Sequence, residues 1–295
     1  MRSTQAEAQA PRRLAIAGAA TAAVPAVAIA LVYAPVFAHG VQVWLSDQEL
    51  SFGFLVPPTA ALMIALRWRD LKAASGPGHP LGLALLAAGL ALLLAGARTN
   101  VHALEGASFL PVAVGAVAYL HGVGTARLTA LPLALTAGAL SVYRGLLAPL
   151  GFAMQQVTAQ ASALTATAAG VPVRRSGVDL FTSSVHLVVA QACSGMDSLL
   201  ALLCLGALFV GLVRASLVRR ALLIALVLPI ILVANVLRVS LVLVLSGPFG
   251  QAVAQGVLHE MLSGSLFVAA TLLFVAAGFA LRCVPSFNGG SSSPA

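Results

Sequence analysis

Eight long apolar runs limit what this chain can fold into. They fall at roughly 14–37, 52–67, 81–97, 107–125, 128–149, 195–213, 221–245 and 262–282. A bilayer core about 30 Å thick is crossed by about 20 residues at a helical rise of about 1.5 Å each. Inside hydrocarbon every backbone N–H and C=O must find its partner within the segment, so each run is expected to be a helix. With 60% hydrophobic and 8% charged residues, a soluble domain of this length has no interior large enough for so much apolar side chain. The fold class expected is an all-α polytopic membrane protein of about eight transmembrane helices. Residues 1–287 are expected to form a single transmembrane domain, and the Gly/Ser-rich tail 288–295 to be disordered.

The net charge of +8 does not point to nucleic acid, because the basic residues sit in short clusters between apolar runs. Arg12-Arg13, then Arg67, Arg69 and Lys72, then Arg127, then Arg214, Arg219 and Arg220, and finally Arg282 all fall on one side if the helices alternate. By the positive-inside rule that side is the cytoplasm, with both termini on it, and such loops also meet anionic membrane lipid. Arg98 and Arg174-Arg175 fall outside as the minority. Arg12-Arg13 ahead of an apolar run resembles a signal peptide, but with so many spans following it reads as a first transmembrane helix.

The longest segment between runs, about 150–192, is expected on the extracytoplasmic side. Gln155, Gln156 and Gln160 among small apolar residues suggest an amphipathic helix lying in the interface. Val171, Val173, Val178 to Phe181 and Val185 to Val189 alternate around Ser176-Gly177 and suggest a short hairpin or pair of strands.

Three polar residues stand out at the outer ends of spans. Cys193 opens the sixth span, Arg238 lies in the seventh, and His259 opens the eighth. Arg238 is expected about 13 Å below the outer end of its helix, from where its long side chain reaches upward. A thiol at a helix N-terminus near a cation is an activated nucleophile, and Ser194-Gly195 lets the chain turn into the helix beside it. Histidine supplies acid/base chemistry, and arginine stabilises an oxyanion or holds substrate. The same residues have plainer readings. A cysteine in an apolar helix is usually a packing residue, which is the expectation for Cys204 and Cys283. A histidine at a membrane border is usually interfacial, as expected for His39, His79, His102, His121 and His186. Arginine inside a span marks function or a buried ion pair. Asp197, one turn after Cys193, is its obvious structural partner. Three cysteines make no disulfide framework or CxxC pair, and no metal or organic cofactor is implied.

These residues occur in blocks that resemble the exosortase/archaeosortase family of membrane transpeptidase-like enzymes. Ala192-Cys193-Ser194-Gly195-Met196-Asp197-Ser198-Leu199 is similar to the family's Cys-Ser-Gly block. Pro229 followed by Asn235-Val236-Leu237-Arg238-Val239 is similar to its Asn-x-x-Arg block. His259 with Gly264 and Phe267 is similar to its last block, in the form of the bacterial branch. Trp44, Asp47, Ser51, Gly53 and Leu55-Val56-Pro57-Pro58 before Arg67 form a looser match to its first outer loop. Together the blocks run from about residue 41 to 282.

The resemblance implies a cysteine protease-like sorting enzyme of the bacterial inner membrane. Its partners would be secreted proteins with a C-terminal tripartite signal: a short motif such as Pro-Glu-Pro, a transmembrane helix and a basic tail. The cleaved protein passes to an acceptor that the sequence does not identify. By this resemblance Cys193 is the nucleophile, Arg238 the electrostatic or substrate-orienting group and His259 the acid/base, with Ser194, Gly195, Asp197 and Asn235 in support. The chain departs from the pattern at Asp197, where many members carry arginine, and at Phe52, where histidine is common. The soluble C-terminal domain fused to some members is not expected here. Two other readings stay open. One is a polytopic transferase that holds lipid-linked glycan phosphate through Arg238 and Asp197, and the other is a transporter with Arg238 in its path.

Overall fold

Apolar runs of this length do fold as helices, and the chain is an all-α polytopic membrane protein, 84% helical. The structure is a computed structural model that describes residues 2–141, 144–189, 194–253 and 257–285. Helix α1 spans Arg2–Ser46, and a 3₁₀ segment at Gln48–Leu55 follows it. Next come α2 (Val56–Leu66), α3 (Trp68–Ala74), α4 (Pro80–Thr99), α5 (His102–Ser141) and α6 (Arg144–Ala168). Strands β1 (Arg174–Ser176), β2 (Asp179–Phe181) and β3 (His186–Val188) precede α7 (Met196–Leu212) and the short β4 (Val213–Arg214). The chain continues through α8 (Leu217–Ala225), α9 (Val227–Phe249), α10 (Val257–Ala280) and β5 (Val284–Pro285).

Five helical stretches among the described residues are long and apolar enough to cross a bilayer: Val24–Ser46, Pro80–Thr99, His102–Ser141, Leu217–Phe249 and Met261–Ala280. A sixth arises if the pair Leu50–Leu66 and Trp68–Ala74, bent by 62° at Arg67, is one span, and α7 is a shorter apolar helix. The run expected at 107–125, and that expected at 128–149 as far as Ser141, lie in the single element α5, which is not straight; residues 144–149 belong to α6. Gly122 breaks it with φ 84° and ψ 168°, a backbone conformation open to glycine and costly for other residues. A Cβ placed on Gly106 would run into the carbonyl oxygen of Leu140. Residues 34 apart meet that closely only if α5 doubles back at Gly122 into two antiparallel limbs, 102–121 and 123–141.

The chain divides into two compact units, one of residues 1–43 and 60–141 and one of residues 44–59 and 142–295. In the first, Gly82, Gly89 and Gly96 repeat every seven residues and are buried on one face of α4. A Cβ on Gly82 would lie 2.6 Å from the Gly115 carbonyl, and one on Gly89 2.8 Å from the Val112 amide. Lipid offers no hydrophobic drive for helices to associate, so close backbone approach at small residues supplies the attraction. Tyr33, fully buried, shares a 2.7 Å hydrogen bond with Ser108 and packs edge-on to Phe109, tying α1 to the first limb of α5.

In the second unit, α7, α9 and α10 share an apolar core with the fully buried Leu202, Leu223 and Val227. A Cβ on Gly206 would lie 3.2 Å from the Phe274 ring, so this glycine serves helix packing. Cys204 and Cys283 are buried, free packing residues, as expected of them. At one end, Ser216 caps α8 by accepting the Arg219 amide, and the Arg220 Nη2 donates to the Val213 carbonyl at 2.8 Å. Helix α6 stands alongside α9, with Ala159, Ala163 and Ala166 set against Val239 and Leu243. Above that seam the segment expected to form two strands forms a three-stranded antiparallel meander, β1-β2-β3, with Leu180 and Val189 packed onto the same cluster.

The doubled-back α5 makes a direct prediction. Gly106→Val forces a side chain against the Leu140 backbone and should cost about 1–3 kcal/mol or more, seen as a lower apparent melting temperature in detergent. Gly138, where an added Cβ meets nothing within 4 Å, should accept alanine with no loss.

Candidate functional site

The segment around residue 194 turns into α7 through two local devices. Ser194 is buried, and its Oγ accepts the Met196 amide at 3.2 Å. Gly195 is the N-cap of α7 with φ 80° and ψ 12°, and its carbonyl accepts the Leu199 amide. A side chain there would strain the left-handed backbone. It would also press on α9, since a Cβ on Gly195 would lie 3.1 Å from Asn235 Cγ. Asn235 is in turn held from the far side, its Nδ2 donating to Thr158 Oγ1 of α6 at 3.1 Å. One turn beyond on α6, the Ser162 hydroxyl donates to the Val236 carbonyl. Gly195 of α7, Asn235 of α9 and Thr158 of α6 are therefore stacked in one row.

That row sets the level of Arg238. Helix α7 has 17 residues, or about 25 Å. Arg220 meets its far end at Val213, and Asn235 meets its start at Gly195. Arg238 lies three residues past Asn235, about 4–5 Å further along α9. The sequence alone sets the arginine well below the outer end of its helix. The helix does run on to Phe249, but the surplus stands beside α6 and the meander, so Arg238 sits level with the start of α7.

Arg238 is 8% exposed, and its Nη1 donates to Ser263 Oγ of α10 at 3.3 Å. Among the described residues its Nε and Nη2 are buried without a hydrogen-bond acceptor. The ion pair expected with Asp197 is not formed. Asp197 is partly buried in the first turn of α7, and its Oδ1 has no donor among the described residues. Gly195, Ser198, Asn235, Arg238 and Ser263 border a small cavity of about 20 Å³, room for one water-sized group.

A larger cavity of about 440 Å³ lies on the other side of Ser198, Ser263 and Phe267, residues common to both. Phe52 and Phe54 of the 3₁₀ segment, Asp197 and Gly264 complete much of its wall. The 3₁₀ segment is held by the buried Trp44, whose indole lies where a Cβ on Gly53 would be and which meets Phe54 edge-on at 5.5 Å.

Cys193 lies outside the described residues, two positions before Gly195. Residue 259 is in the first turn of α10, one turn before Ser263. The structure thus brings Ser194, Gly195, Asn235 and Arg238 together and places Asp197 at the neighbouring cavity. Sequence reasoning missed Thr158, Ser162 and Ser263, and gave Ser198 no role beyond its place in the Cys-Ser-Gly block. Thr158 and Ser162, four apart in an alanine-rich helix, and Ser263, four after His259, carry a usable signal in their spacing.

A family model described as Transmembrane exosortase matches residues 44–276, most of the chain and all four blocks of the resemblance apart from its outermost residues. The chain belongs to the transmembrane exosortase family, whose members are membrane-embedded sorting transpeptidases. Neither the curated proteins nor the solved structures give a match.

Asn235 and Arg238, both buried in α9, should respond in opposite ways. Asn235→Leu orphans the buried Thr158 hydroxyl and should lower stability by about 1–3 kcal/mol. Arg238→Met removes guanidinium N–H groups that have no acceptor among the described residues and should leave the apparent melting temperature unchanged or raised. A large destabilisation by Arg238→Met would make the arginine a structural pillar instead.

Proposed function

We propose that this protein is a cysteine transpeptidase or protease that cleaves the C-terminal sorting signal of secreted proteins and passes them to a cell-envelope acceptor. The observation that carries the reading is Arg238: a buried guanidinium held by one serine hydroxyl among the described residues, at the level where α7 begins. An arginine kept at such cost, in a chain of this family, is best explained by a charge that arrives with the substrate.

In this reading the enzyme crosses the bacterial inner membrane eight times, with the two limbs of α5 and the short α7 each counted as a crossing. The starts of α7 and α10 face the extracytoplasmic side and both termini face the cytoplasm. A substrate anchored by its own apolar helix then offers its motif just outside the bilayer, at the level of Arg238. Helix α6 and the meander form the wall around the projecting part of α9 and limit the access of water.

The chemistry divides among three residues. His259 takes the proton of the Cys193 thiol, and the thiolate attacks the scissile carbonyl carbon to form a C–S bond. The oxyanion of the tetrahedral intermediate lies against the remaining N–H groups of Arg238, which are already oriented and shielded from water. As the C–N bond breaks, His259 returns its proton to the leaving amine. The acceptor nucleophile, or water, then gives its proton to His259 and attacks the thioester, and the thiolate leaves. Ser194 and Gly195 hold the turn on which Cys193 enters α7, and Asn235 holds that turn against α9.

Cys193→Ala and Cys193→Ser should each reduce processing of a tail-signal reporter by more than about 10³-fold, while both variants still insert in the membrane. The measurement is the ratio of processed to full-length reporter on immunoblots of cells expressing each variant. Processing that continues in both variants would refute the nucleophile assignment and with it the enzyme class.

A further inference from the structure

Of the ten described residues that line the larger cavity, Asp197 alone carries a charge. Its Oδ1 is buried and has no donor among the described residues. An acid in the first turn of a helix is stabilised by the backbone amides there. That explains an aspartate at this position in α7, but not an oxygen withdrawn from water with no N–H or O–H to meet it. Leaving such an oxygen unmet is destabilising, and more so for a charged group than for a neutral one. The aspartate as a whole is only partly buried and borders the cavity, so a ligand group that donates hydrogen bonds and carries positive charge can meet its carboxylate from there.

The rest of the wall narrows the class of group. Phe52, Phe54 and Phe267 line it with aromatic rings, and Gly264 leaves it open, since a Cβ there would meet nothing within 4 Å. Long aliphatic stems pack on such rings while a cationic head reaches beyond them, and the ring faces themselves attract the cation. At about 440 Å³ the space falls within the usual range for ligand pockets. Ser198, Ser263 and Phe267 belong both to this wall and to the small cavity beside Arg238. A side chain seated here therefore belongs to a residue close to the bond presented to Arg238.

We propose that this cavity is a specificity subsite for a lysine or arginine side chain in the recognition motif of the substrate, with Asp197 as its counter-charge. The proposal rests on the sorting-enzyme reading above. The basic residue meant is in the short motif and is distinct from the basic tail that follows the substrate's transmembrane helix. A glutamate in the same place would meet Asp197 with like charge and is disfavoured.

The test separates binding from catalysis. Detergent-purified full-length Cys193→Ala protein is titrated with fluorescent peptides, each a short motif followed by an apolar helix. Lysine, glutamine or glutamate is placed at each motif position in turn. At one position lysine should bind about tenfold tighter than glutamine, the gain of one charge-assisted contact, and glutamate should bind most weakly. Adding Asp197→Asn should bring lysine and glutamine to within about twofold of each other. Asp197→Glu should retain the preference, and Gly264→Leu, which fills the cavity, should weaken lysine peptides most. These are ratios between peptides on the same protein, which a general loss of folding does not change. Equal affinity for lysine, glutamine and glutamate at every position, or a lysine preference that survives Asp197→Asn, overturns the proposal. Reporter processing by the Cys193 enzyme is scored in parallel. Processing with no charge preference sinks the subsite alone, and a charge preference without Cys193-dependent processing sinks the enzyme reading alone.

Discussion

The close approach of Gly195 to Asn235 sets the level of everything else in the second unit. Glycine is needed there twice over, for the left-handed turn into α7 and for the space that a Cβ would take from the asparagine. Because the contact fixes where α7 starts along α9, it also fixes where Arg238 stands. Asn235 is not free to slide, since Thr158 of α6 holds its amide. Four helices are thus registered by a short row of small and polar residues, with Ser263 of α10 completing it through Arg238. In a chain where most contacts are between interchangeable aliphatic side chains, hydrogen bonds and backbone approach specify one arrangement among many.

The same physics shapes the first unit largely through glycine. The heptad of glycines in α4 lies on backbone atoms of α5, and Gly122 turns α5 back on itself. Each of these positions is one where a methyl group would collide with its neighbours. The buried hydroxyls of Tyr33 and Ser108 satisfy each other, as burial in an apolar setting demands.

Part of the site is legible in the residues themselves. Arg238 in an apolar run is too costly to be incidental, and Ser194-Gly195 before an apolar run reads as a turn into a helix. Asn235 stands out only through its place in a family-like block, and its partner Thr158 lies 77 residues away. Pairing Asp197 with Arg238 is a reasonable inference from opposite charges, but charge does not reveal distance. Arg238 turns to Ser263 and Asp197 faces a cavity lined by phenylalanines, an arrangement that depends on how α7, α9 and α10 rotate against each other. The 3₁₀ segment that brings Phe52 and Phe54 to that cavity is short, and its placement by Trp44 over Gly53 leaves no periodic trace in the sequence.

What the sequence alone determined is the class of architecture and the family. Runs of about 20 apolar residues must become helices in lipid because no water is there to satisfy the backbone, and the blocks around Gly195, Arg238 and residue 259 name a family. Only the tertiary structure decided that α5 is a hairpin, that α6 stands beside α9, and that Arg238 is level with the start of α7. Those outcomes rest on contacts of atoms far apart in the chain, such as Gly106 with Leu140 and Gly195 with Asn235. Hydropathy specifies which segments leave water. It does not specify which face of a helix meets which neighbour, and that choice is made by a few ångströms of space at small and polar residues.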